Sequence, residues 1–183
     1  MNSTNDYDTI VSRAIDAGNW CESEAARAEV RKAGPSALPA IERVFSDKRW
    51  KARRVAAQML DDALDDTNVH VLMRALKDPN AIVRRNALHS LACVRCKPVG
   101  CWNVDITGTF INIVLNDSPR VRSRALVYLS CRPPEARSVE ALRHLIATHQ
   151  HPVVLQRART ALARIERAFA AVPKAAIAAG SNS

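Results

Sequence analysis

Four residues between positions 89 and 101 combine the types and spacings of thiol and metal chemistry. His89, Cys93, Cys96 and Cys101 form a His-x3-Cys-x2-Cys-x4-Cys run in the segment HSLACVRCKPVGCWN. A four-residue step puts His89 and Cys93 on one helix face. The gap between Cys93 and Cys96 is the one favoured by zinc knuckles. Cys131 joins by repetition: it follows Cys93 by 38 residues, the step that also separates Arg84 from Arg122. Equivalent places on packed neighbouring helices lie roughly 8–10 Å apart, a gap that a thiol on the intervening loop can fill. Cys93 and Cys96 are therefore expected close to Cys131. Three chemistries are open to the cluster. The thiols can pack as small hydrophobes. They can form a structural zinc site of Cys93, Cys96 and Cys131, completed by Cys101 or His89. They can form a redox-labile disulfide. A closed zinc site usually comes as two paired motifs, and only one CxxC occurs here.

The second concentration of chemistry is guanidinium. Residues 1–117 hold 16 Lys and Arg against 15 Asp and Glu, whereas residues 118–183 hold 11 against 3. Nearly all of the net charge of +9 thus sits in the last third, and ten of its eleven basic residues are Arg. Arg120, Arg124, Arg157, Arg159, Arg164 and Arg167 are the candidate contacts for nucleic-acid phosphates or for an acidic protein partner. Aromatic residues make up only 4% of the chain, which counts against base-stacking platforms. Asp61, Asp62, Asp65 and Asp66 form an acidic patch without the Gly-bearing spacing of a calcium loop, and are read as a solvated helix end. His144, His149 and His151 are read as solvated, and Trp50 and Trp102 as packing residues. No GxSxG, HExxH, GxxxxGK[ST] or GxGxxG string occurs, so no catalytic residue is assigned and no enzymatic activity is expected.

These residues are carried by a pattern that recurs along the chain. It reads DKRWKARRVAAQML, then DPNAIVRRNALHSL, then SPRVRSRALVYL, then HPVVLQRARTAL. Each copy has a polar or Pro-bearing turn, a basic pair, a central Ala and a Leu one turn later. Arg53 to Arg84 is 31 residues, Arg84 to Arg122 is 38, and Arg124 to Arg157 is 33. Self-similarity at this period signals stacked helical pairs. The central residues Ala56, Ala87, Ala125 and Ala158 permit close packing of one helix on the next. The long second step reflects about seven extra residues after Cys96, around KPVGCWN.

The segments LKDPNAIVRRNALHSL and LNDSPRVRSRALVYL, with AGPSALPAIERVF ahead of them, resemble a HEAT-repeat protein. The type is the short bacterial one, related to the HEAT-like repeats of phycobilisome lyases. The resemblance covers about residues 25–170 and bears on fold; no lyase activity is carried over. It implies a ladder in which turn Asp residues 47, 78 and 117 meet the second-helix residues Arg53, Arg84 and Arg122. Repeat four departs from it, with Leu155 in place of the ladder Arg and His149 and His151 in the turn, so the ladder should end there. The resemblance also brings a second functional class, the HEAT-like alkylpurine DNA glycosylases, whose aromatic side chains find few counterparts here.

The expected fold is all-α: a right-handed α-solenoid of about four HEAT-like repeats with an N-terminal helical cap. The cap is residues 1–35, the repeats are 36–63, 67–93, 104–131 and 137–171, and 172–183 is a loose tail. No apolar run approaches the ~18 residues of a membrane span. MNSTNDYDTI lacks a basic n-region followed by an apolar stretch. The chain is therefore expected to be cytoplasmic, with its five Cys as thiols or metal ligands rather than structural disulfides. The expected function is a non-enzymatic scaffold or adaptor that binds a protein partner through its second helices. The alternative is nucleic-acid binding through the Arg-rich end.

Overall fold

A computed structural model describes residues 4–17, 20–63, 69–92 and 104–171. The described residues contain ten α-helices and no strand: α1 (Thr4–Asp16), α2 (Trp20–Ala33), α3 (Leu38–Val44), α4 (Trp50–Ala63), α5 (Val69–Ala75), α6 (Ala81–Ala92), α7 (Ile106–Asn116), α8 (Pro119–Leu129), α9 (Ala136–Thr148) and α10 (Pro152–Ala171). No helix among them is long and apolar enough to cross a membrane. The chain divides into two compact units, Met1–Val104 and Asp105–Ser183.

In the first unit α1 packs on α2, α3 on α4, α5 on α6, and α4 against α6. The reason is legible in α4. Ala52, Val55, Ala56, Met59 and Leu60 are buried, and their spacing of three and four makes one apolar face. Each large aliphatic side chain so buried contributes about 1.5–3 kcal/mol. Val83, Ala87, Leu88 and Leu91 form the matching face of α6. The Ser90 hydroxyl, also buried, donates to the Ala57 carbonyl oxygen at 3.0 Å and joins the two helices. Between α2 and α3 the chain turns at Gly34, whose φ of +57° suits a residue without a Cβ, and Pro35 follows in a 3-10 turn.

In the second unit α7 packs on α8, α9 on α10, α7 on α9 and α8 on α10. First helices thus form one layer and second helices the other. Pro119 and Pro152 open the two second helices, where a missing N–H costs nothing. The core is Phe110, Val114, Val121, Leu126, Leu129, Leu142, Leu145 and Ile165. Ala56, Ala87, Ala125 and Ala158 are all fully buried, as close helix packing requires.

Candidate partner-binding surface

Of the thiol cluster, Cys93, Cys96 and Cys101 lie outside the described residues, and so does the expected proximity of Cys93 and Cys96 to Cys131. Cys131 is an exposed free thiol, so packing as a small hydrophobe does not describe it. His89 stands 3.7 Å from the Asp61 carboxylate, Nε2 to Oδ2. No group of three His, Cys, Asp or Glu suited to a metal ion occurs among the described residues.

The six candidate arginines are all exposed, and none of them forms a salt bridge among the described residues. Their helices arrange them in two parallel stripes. On α8, Arg120, Arg124 and Val127 follow at steps of four and three, and exposed Cys131 continues the line in the turn beyond. On α10, Val153, Arg157, Thr160, Arg164 and Arg167 follow at steps of four, three, four and three, and all are exposed. Such spacing keeps each set on one face. Val127 and Val153 are 49% and 47% exposed, the large hydrophobics left in solvent among the described residues.

Two fixed contacts show which way these faces point. Arg122 donates to the carbonyl oxygens of Val114 and Leu115 at the end of α7, at 2.8 and 3.2 Å. Two residues are about 200° of helix, so Arg120 and Arg124 face away from α7. On α10, Glu166 pairs with Arg143 of α9 at 2.8 Å. Arg164 and Arg157, two and nine residues before it, are about 200° and 180° from it, and so face away from α9. Both stripes therefore lie on the side of the second unit turned from its first helices, on two helices that touch. Arg159 does not belong with them. It precedes Glu166 by seven residues, about two full turns, and shares the flank facing α9.

The stripe arginines are only lightly held. The Arg124 guanidinium sits 5.8 Å from the centre of the Tyr128 ring, a cation–π contact. Arg167 Nε donates to the Ala163 carbonyl oxygen at 3.1 Å. Three carboxylates of this unit, Asp105, Glu135 and Glu166, are paired with other arginines. Arg137 bridges Asp105 and Glu135 at 2.6 and 2.7 Å, and its guanidinium, together with the Gly108 N–H, holds the Asp105 carboxyl below the ordinary carboxylate range.

Other arginines are structural. Arg53 binds Asp78 through Nε and Nη2 at 2.7 and 3.2 Å, and gives Nη1 to the carbonyl oxygens of Asp47 and Lys48. Arg84 repeats the second part, donating Nη1 to the Asp78 and Pro79 carbonyl oxygens at 2.7 and 3.0 Å. Arg122 meets His149 instead of a carboxylate, Nη1 to Nε2 at 2.8 Å. Trp50 lines a cavity of about 350 Å³ with Ile15, Arg49, Lys51 and Ala52; Arg49 there is committed to Asp47 and Asp16.

Sequence reasoning named the arginines of the stripes and missed their valines. The signal was available: Val127 stands three residues after Arg124, and Val153 four before Arg157, so each valine shares the face of an arginine rather than that of the buried central Ala.

No protein-family model matches the chain, and no curated protein matches it. Among solved structures it is similar to the crystal structure of an engineered protein, with a TM-score of 0.44 and 16% identity over 90% of this chain and 81% of that one. At that level of likeness neither fold family nor function is read from it.

Proposed function

We propose that the chain is a non-enzymatic HEAT-like scaffold, a right-handed array of helical pairs that binds a protein partner on its second helices. The observation that carries this reading is the paired stripe on α8 and α10, where exposed arginines without carboxylate partners share a face with the two exposed valines, one at the end of each row. A surface that only had to be soluble gains nothing from leaving two valines in line with five guanidiniums. Arg is enriched at protein interfaces and Lys depleted from them, and the last third of the chain holds a single Lys.

The test is affinity purification of the full chain, with an unrelated protein of similar charge as control. Specific protein partners that survive raised salt support the scaffold; recovery of nucleic acid alone refutes it.

The second reading, phosphate binding to DNA or RNA, is favoured by the same unpaired arginines. It requires Arg120, Arg124, Arg157, Arg164 and Arg167 to track a backbone, and affinity to fall steeply with salt. It assigns no role to Val127 or Val153. A mobility-shift titration without binding at low salt removes it, and with it the glycosylase version.

A further inference from the structure

We infer that the α8/α10 surface takes an acidic amphipathic helix of a partner protein, its carboxylates on the arginine stripes and its apolar side chains on Val127 and Val153. The inference rests on the scaffold reading and names the chemistry of its partner.

Charge sets the first requirement. Arg120, Arg124, Arg157, Arg164 and Arg167 are exposed and have no salt-bridge partner among the described residues, while Glu166, Asp105 and Glu135 are bound to Arg143 and Arg137. The complement must therefore bring several anionic groups, and a carboxylate meets guanidinium in a bidentate pair, as a phosphate does; the valines decide between the two.

Geometry sets the second. Arg157 to Arg167 is ten residues, about 15 Å along α10, and α8 lies beside it at roughly 8–10 Å between axes. Two such rows suit a rod with acidic groups along its flanks, and an α-helix of three to four turns has that length and width. An extended strand would look for a sheet edge to pair with, and no strand occurs among the described residues.

The valines set the third. Val127 follows the α8 arginines, and Val153 precedes those of α10. A nucleic-acid backbone offers nothing to a valine, whereas a helix reads such positions with its own apolar residues at i, i+3 or i+4 and i+7. Beside the α8 row the Tyr128 ring, which a base would otherwise stack on, is already covered by Arg124.

The probe is a fluorescein-labelled synthetic helix of about 16 residues, long enough for four turns, with Leu along one face and Glu on both flanks. Polyglutamate of equal charge and a short DNA duplex are the comparisons. Fluorescence anisotropy on the full chain is expected to show the amphipathic peptide binding at least about tenfold more tightly than polyglutamate. Arg124→Glu with Arg164→Glu should remove at least about tenfold of that affinity. Val127→Asp with Val153→Asp should abolish the preference over polyglutamate. All four positions are exposed, and unchanged circular dichroism and melting temperature of the variants show that the fold is intact. Equal affinity for peptide and polyglutamate, indifference to the arginine reversals, or tightest binding to duplex DNA each overturns the inference. Affinity purification with Arg124→Glu/Arg164→Glu separates its failure from that of the scaffold. Partners kept equally by wild type and variant leave the scaffold standing and move its site elsewhere; no protein partner for either removes the scaffold itself.

Discussion

Arg53 of α4 and Asp78, in the turn that opens α6, form a two-point ion pair across neighbouring helical pairs. Their side chains are 12% and 6% exposed. Neither end is wasted: Arg53 also holds the carbonyl oxygens of Asp47 and Lys48, and Asp78 Oδ1 also accepts from the Asn80 N–H at 2.8 Å. Asp78 raises the already high pKa of Arg53.

Removing one partner of such a pair leaves a buried charge without its counterion, at about 3–5 kcal/mol. Asp78→Ala is expected at the lower end, near 3 kcal/mol, because two carbonyl oxygens still receive Arg53. Arg53→Met with Asp78→Leu should lose less than the sum of the single changes. Urea denaturation of the three variants measures this, and strict additivity would show that the pair is not coupled.

A comparison of turns gives the second prediction. Three residues before the start of α4, α6 and α10 stand Asp47, Asp78 and His149, and each accepts from the N–H two residues on. His149 does so with Nδ1 while its Nε2 lies 2.8 Å from Arg122 Nη1. A neutral imidazole has one acceptor nitrogen, so it satisfies one donor at a time. A carboxylate satisfies both. His149→Asp should therefore stabilise the chain by about 1 kcal/mol, and the gain should vanish when Arg122 is Met. Thermal melts of the four proteins test it; destabilisation by His149→Asp in the Arg122 background would show that the shorter side chain does not reach.

How far the sequence disclosed these features depended on what each one rests on. The helical pairs were legible because breaks such as Gly34-Pro35, Asp78-Pro79 and Ser118-Pro119 fall between apolar faces of helical period, and because a central Ala recurs. The Arg53–Asp78 pair was legible only through a resemblance, since nothing local links residues 25 positions apart. The stripes were half legible. Charge named the arginines, but an apolar residue is read as core until its angle around the helix is compared with known core positions. That comparison also separates Arg159 from the other five.

Acid should release one surface contact before the fold is lost. The Arg49 side chain lowers the Asp47 carboxyl from an ordinary 3.8 to about 2, with help from the Arg49 N–H. A carboxyl depressed in the folded state adds stability that is complete above its unfolded pKa and disappears as pH falls through the folded one. The contribution of Asp47 is thus expected to fade between about pH 4 and pH 2. Melting temperatures of wild type and Asp47→Asn should differ above this window and converge within it. A difference that stays constant down to pH 2 would assign the effect to the turn rather than to charge.

The last prediction concerns a sign. Replacing an interior helical Gly by Ala ordinarily stabilises by about 1 kcal/mol. Gly108, in the first turn of α7, is placed against that expectation. Asp105 caps the helix by accepting from the Gly108 N–H at 2.9 Å, and Arg137 grips the same carboxylate with two bonds of 2.6 Å. A Cβ at position 108 would collide with Asp105 Oδ2, so the carboxylate must leave the cap, the arginine, or both. Loss of the cap alone costs about 1 kcal/mol, and the exposed ion pair is disturbed with it. Gly108→Ala is therefore expected to be neutral to destabilising in the wild-type chain. In the Asp105→Ala background nothing remains to collide with, and the same change should stabilise by about 1 kcal/mol. The reversal between backgrounds, read from denaturation midpoints, isolates the cap from helix propensity, because propensity alone predicts the same gain in both.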